Sequence, residues 1–308
     1  MAGGPLNDIL AGTEGGIRRT DGEADLPDVP ITALAADRWG VWALADGRTL
    51  YRRTAGPWVE VEEVSGPVGR SLIAVEEGLY VGTAEAGLLR LEEGELEEVA
   101  GFAEVPGRDG WYTPWGGPPD TRSLARAADG ALFANVHVGG IPRSRDGGRT
   151  WQPTIEVDSD VHQVIAHPTD PGTILAACAP GLARSEDGGD SWTMDHDGLH
   201  SPYCRAVALA GADPSAPDTV LVTASTGPRT NRAAIYRRSI DGGRLEKAHQ
   251  GLPEWFGWNI DSHCLVAQGP TAVIGGPDGV VYRSEDAGRT WDQVLDGLPA
   301  VTCVLIAN

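Results

Sequence analysis

A short motif returns along this chain, and its recurrence constrains the fold more than any other feature. Ser144-Arg145-Asp146-Gly147-Gly148-Arg149-Thr150-Trp151 reappears as Ser185-Glu186-Asp187-Gly188-Gly189-Asp190-Ser191-Trp192 and as Ser284-Glu285-Asp286-Ala287-Gly288-Arg289-Thr290-Trp291. A worn copy, Ser239-Ile240-Asp241-Gly242-Gly243-Arg244, lies between them. Self-similarity over tens of residues is the mark of a repeat architecture, in which each unit buries its apolar face only against its neighbours. The local chemistry is that of a tight turn. The Asp accepts backbone N–H groups, the Gly supplies a positive φ, and the Trp wedges between sheets.

A second register counts the units. Short alternating segments begin at PITALAA (30–36), VGRSLIA (68–74), DTRSLAR (120–126), DVHQVIA (160–166), PYCRAVA (202–208), DSHCLVA (261–267) and AVTCVLI (300–306). Their third residues are Thr32, Arg70, Arg122, His162, Cys204, His263 and Thr302, spaced 38, 52, 40, 42, 59 and 39. Seven first strands, each followed by three further strand signals, predict an all-β, seven-bladed β-propeller of four-stranded antiparallel blades. The last segment has nothing after it, while DILAGTE and GIRRTDG near the start have no first strand before them. The two ends are therefore expected to share one blade, which closes the ring and removes exposed sheet edges. The expected organisation is one domain over 1–308, with blades at roughly 30–66, 67–118, 119–158, 159–200, 201–259 and 260–299, closed by 300–308 with 6–28.

The Ser/Thr-x-Asp-x-Gly-x-Thr-Trp strings resemble the Asp-box of bacterial neuraminidase-type repeat (BNR) proteins, a propeller group that includes sialidases and sortilin-like receptors. The resemblance implies that the motif sits on the turn between the third and fourth strands of a blade. In sialidases that is the face opposite the active site. It thus implies structural roles for the motif's Asp and Trp residues and directs the search for chemistry to the other face.

A formal charge of −20 argues against nucleic-acid or membrane-surface partners, which require clustered Lys and Arg. Of the 24 basic residues only Lys247 is a lysine. No apolar run approaches the ~20 residues of a membrane span. The opening MAGGPLNDILAGTEGG lacks a basic stretch followed by an apolar run of about 7–15 residues. Four scattered cysteines, none in a CxxC pair, fit a reducing compartment, so a cytoplasmic protein with buried thiols is expected.

The loops leading into the first strands and the hairpins after the second strands share one rim, where ligand pockets form. The third-position ring offers Arg70, Arg122, His162, Cys204 and His263 there, with Asp120, Asp160 and Asp261 two residues earlier on the same side. His137, His200, Tyr203 and Arg205 join from adjacent loops. Two long loops add Trp111, Tyr112 and Trp115, and Trp255 and Trp258; a third carries Arg229. Arginines clamp anions bidentately and aromatics stack on flat ligands, so Arg70, Arg122, Arg205, Arg229, His200 and the five loop aromatics are the substrate-binding candidates. His162, His263, Tyr203 and Asp261 are the catalytic candidates. His137, His162, His263 and Cys204 are candidate ligands for one divalent transition metal (Zn, Mn, Fe or Cu). Three functions follow: a lyase or hydrolase, metal-assisted or not, acting on an anionic sugar or carboxylate; a scaffold holding an acidic peptide or partner protein; or a sialidase-like glycosidase, with Asp120 and Asp261 as its paired carboxylates.

Overall fold

A computed structural model describes residues 8–76 and 78–307. Seven four-stranded antiparallel sheets form a closed ring. In the order used below, the blades begin with the inner strands Ile31–Asp37, Gly69–Val75, Thr121–Arg126, Val161–Ala166, Tyr203–Ala210, Leu265–Gln268 and Val301–Ala307. The seventh blade pairs Val301–Ala307 with Asp8–Thr13, followed by Gly16–Arg19 and Ala24–Asp25, so the ends of the chain close the ring. Residues 6, 7 and 308 of the expected closing blade lie outside the described residues.

Among the described residues there is no single central core. Each of seven apolar clusters fills one seam between adjacent blades, as in the Val161, Ile174 and Phe133 cluster between blades three and four. The alternation of each inner strand serves this arrangement, since every blade needs one apolar face for each neighbour.

The motif turns sit between third and fourth strands and share one bonding pattern. In the first copy Asp146 accepts from Ser144 Oγ at 2.8 Å, Thr150 N at 2.9 Å and Thr150 Oγ1 at 2.7 Å. Asp187 and Asp286 repeat it. These bonds hold Asp146 and Asp187 at a pKa of about 2. Trp151 and Trp291 lie buried in the seams toward the preceding blade. The worn copy differs. With no Trp to wedge, Ser239 pairs directly with Gly242 and the strands join through the two residues Ile240 and Asp241.

Six inner strands carry a bulge near their start. Thr121 pairs with Val136 and Ser123 with Asn135, leaving Arg122 unpaired between them. The same skip isolates Thr32, Arg70, His162 and Thr302. A bulge re-aims the extra side chain away from both seams, which here turns it to the channel. In blade five the skip runs from Cys204 to Val207, so the ring position belongs to Arg205. Cys204 stands one place too early and is fully buried in the seam of blades four and five, a correction to the sequence register. His263 is also corrected. It precedes its strand, in a turn with φ of +67°, and Leu265 begins the sheet.

Side chains tie the inner strands around the channel. Ser71 Oγ donates to Thr121 O at 3.0 Å, Ser123 Oγ accepts from Val164 N at 2.9 Å, and Gln163 Oε1 accepts from Val207 N at 3.1 Å. Thr223 Oγ1 accepts from Ala206 N and donates to Ile260 O.

Candidate functional site

One backbone bond repeats on the face opposite the motif turns. The residue opening the hairpin after the second strand donates its N–H to the residue two before the bulge, as in His137 N to Asp120 O at 3.0 Å and Ala179 N to Asp160 O at 3.0 Å. This clamps hairpin and approach loop together. It sets His137 of blade three beside Asp160, which leads into blade four.

His137 Nε2 lies 3.1 Å from Asp160 Oδ1, and His162 Nε2 lies 3.7 Å from the same oxygen. All three ligand atoms fall within 4.8 Å of one another. His162 is wholly buried, and its Nδ1 sits 2.6 Å from Cys204 O. A carbonyl only accepts, so Nδ1 carries the proton and the Nε2 lone pair faces Asp160. Burial, with Arg205 nearby, pushes the His162 pKa down to about 3, so the ring is neutral. Burial alone would raise the Asp160 pKa, but His137, His162 and Arg122 outweigh it and hold the carboxyl below its ordinary range. Asp160 takes φ of +44° and Val138, beside His137, +48°. Left-handed conformations in non-glycine residues cost of order 1–3 kcal/mol each and persist where surrounding contacts over-determine them.

Beside this cluster stand two arginines of different status. Arg205 bonds Asp261 through Nε and donates to Tyr203 Oη at 3.2 Å. Arg122, at the ring position of blade three, makes no side-chain hydrogen bond or ion pair among the described residues. Burial and the charge of Arg205 lower its pKa, only partly offset by Asp261 and Asp120. Burial raises the Tyr203 pKa against the pull of Arg205, so its phenol stays protonated. The Tyr203 ring lies 4.8 Å from that of His162. His263 reaches across the channel to place Nε2 2.8 Å from Arg122 O, and Ser262 Oγ donates to His162 O at 2.8 Å. The turn at 261–264 therefore braces the mouth from blade six.

The sequence candidates divide accordingly. The structure brings together His137, His162, Tyr203, Arg122, Arg205, Asp261 and His263. Trp115 covers His137 with ring centroids 5.1 Å apart and is 69% exposed, and Tyr112 donates to Asp158 at 3.2 Å. Arg70 is tied to Asp120 at 3.3 Å. Most of the other candidates are engaged elsewhere. His200 bonds Tyr236 Oη, and Trp255 is already faced by Lys247 Nζ at 3.5 Å and Arg232 at 4.2 Å. Trp111 packs on Phe102 and Arg108. Trp258 packs on Phe256 and closes on Gly276, where a Cβ would meet its ring at 2.1 Å. Arg229 is exposed on the hairpin at 226–232. Burial also raises the Cys204 pKa, and its thiol faces the seam, so it is no ligand in this cluster. Asp160 takes the place that Cys204 and His263 were expected to fill. A cavity of 430 Å³ opens on the opposite face between blades four and six, but no titratable residue lines it.

Fold and mouth together define a seven-bladed propeller with a polar, partly buried cluster over its channel. No family model matches the chain, and no curated protein matches it. Among solved structures, a putative 6-phosphogluconolactonase from Bacteroides fragilis superposes with a TM-score of 0.67 at 12% identity, covering 100% of both chains. Another from Bacteroides uniformis gives 0.66 at 14%, covering 97% of this chain and 99% of that one. The GH74 xyloglucanase from Xanthomonas campestris gives 0.59 at 17%, covering 85% of this chain. An ancestral GH74 enzyme gives 0.61 at 15%, covering 89%. The chain spans only 45% and 37% of those two GH74 chains. At such identities the likeness is one of fold alone.

Proposed function

We propose that the channel mouth binds a small molecule bearing a carboxylate and that the chain acts on it as a lyase or hydrolase. The observation that carries this reading is Arg122. A half-buried guanidinium beside a second arginine, with no side-chain hydrogen bond or ion pair among the described residues, is a ready seat for an anion. Its planar fork suits a carboxylate bidentately. Arg205 is held by Asp261 and Tyr203 and supplies positive field. Tyr203, kept protonated, is the group placed to give a proton to a departing oxygen. The neutral, weakly basic His162 does not suit proton abstraction near pH 7.

A second reading rests on Trp115 and Tyr112, which are 69% and 46% exposed on the same rim. Exposed aromatics beside arginines suit an acidic peptide held by a non-catalytic scaffold. The sialidase-like reading has less support. Asp120 and Asp261 are each engaged by an arginine rather than standing as a free carboxylate pair, and sialidases have six blades.

The test is a thermal-shift screen of small carboxylates, including uronic and 2-hydroxy acids, against the native chain and Arg122→Leu. A ligand at about 100 times its Kd stabilises by roughly 2.7 kcal/mol. The reading expects such a shift, lost in Arg122→Leu. A shift that survives Arg122→Leu, or shifts with acidic peptides and no small acid, would overturn it.

A further inference from the structure

We infer that His137, Asp160 and His162 form a binding site for one divalent first-row transition ion. It adds a cofactor to the mouth described above, but it uses none of the atoms of the Arg122 clamp, so either can fail alone.

Three independent features converge. The first is the donor set. Two imidazole nitrogens and one carboxylate oxygen leave coordination positions open, which suits Fe(II), Mn(II) or Zn(II). Ligands at ~2.0–2.2 Å from a common ion sit about 3.0–3.5 Å apart. The 3.1 and 3.7 Å separations to Asp160 Oδ1 are close to that spacing, and the two imidazoles, whose ligand atoms lie within 4.8 Å of each other, would have to close on the ion.

The second is tautomer. A metal-bound histidine commonly donates its other N–H to a backbone carbonyl, which fixes the ring and aims the lone pair. His162 has that arrangement through Cys204 O, and the carbonyl lies in the inner strand Tyr203–Ala210.

The third is lack of satisfaction. His162 Nε2 and Asp160 Oδ1 are both buried atoms with no aligned hydrogen-bond donor or acceptor. A lone pair facing a carboxylate oxygen is repulsive, and a cation between them turns the contact favourable. His162 is 0% exposed and His137 3%, whereas the Asp160 side chain is 25% exposed, so an ion reaches the site from the mouth past Asp160. Trp115 lies over His137 on that side.

The competing arrangement is metal-free, with His137 Nε2 donating its proton to Asp160 and the cluster serving structure only. Elemental analysis of the full chain purified without chelator, followed by titration of chelator-treated protein with Zn(II) and Mn(II), decides between them. The inference expects near one equivalent bound. It expects at least the ~10–100-fold weakening typical even of outer-shell losses in Asp160→Asn and in His137→Ala. Asn tolerates the left-handed backbone at 160, so Asp160→Asn tests ligation without forcing a misfold. His249→Ala should bind as the native chain does. Co(II) loaded into the native protein should give visible ligand-field bands that Asp160→Asn lacks. Absence of saturable binding in the native chain, or unchanged affinity in both Asp160→Asn and His137→Ala, would overturn the site. Metal binding retained in Arg122→Leu alongside lost carboxylate binding would separate the two readings.

Discussion

Thr223→Val probes how the ring holds its mouth. Thr223 is 1% exposed, and its hydroxyl links two backbone groups: Ala206 N at 2.9 Å and Ile260 O at 3.0 Å. The first belongs to the bulge that aims Arg205, and the second precedes Asp261, which holds Arg205 from the next blade. Valine matches threonine in shape but leaves a donor and an acceptor stranded. Each stranded buried group costs about 1–3 kcal/mol. The methyl that replaces the hydroxyl recovers ~0.8 kcal/mol. The net expectation is a loss of roughly 1–5 kcal/mol, centred near 3. Thr223→Ser keeps the hydroxyl and deletes one buried methyl, for about 1 kcal/mol. Urea unfolding followed by Trp fluorescence ranks the two. If the serine variant proves as destabilised as the valine variant or more, the hydroxyl bridge is not what secures blades five and six, and the reasoning fails.

Two further outcomes are expected. Asp146→Ala should lower the melting temperature and Asp241→Ala should leave it nearly unchanged, because only Asp146 accepts the Ser144 and Thr150 bonds that precede the buried Trp151; equal effects in a scanning calorimeter would contradict this. Burial raises the pKa of Tyr203, Tyr236 and Tyr282 above that of an unfolded tyrosine near 10. Their stabilisation is present below pH 10 and is lost as pH rises through the folded values, because the unfolded chain releases those protons first. Absorbance at 295 nm should therefore show part of the phenolate signal appearing only with alkaline unfolding, and complete ionisation of the folded chain near pH 10 would refute it.

How far the sequence reaches differs between the fold and the mouth. The motif turns were legible because each is built from residues within eight positions, and Asp146, Thr150 and Trp151 bond as their types and spacing require. The blade count was legible because strand alternation repeats at each unit. The off-by-one at Cys204 and Arg205 was not, since a one-residue slip exchanges seam and channel, and the alternation of PYCRAVA accommodates either register. One signal was present. Arg205 is a long charged side chain that no seam would accept, whereas a cysteine buries readily.

The chain's local chemistry thus determined that there are seven four-stranded units and that their ends must meet, because turn formation and alternation act over a few residues. Only the tertiary structure decided that Asp160 stands between His137 and His162, that the Arg122 side chain has no hydrogen-bond or ion-pair partner among the described residues while Arg205 has two, and that His263 braces the channel from its far side. Those relations depend on bulge positions and on contacts across blades. No local pattern encodes them, because the same residue types in the same order satisfy either register until the ring closes.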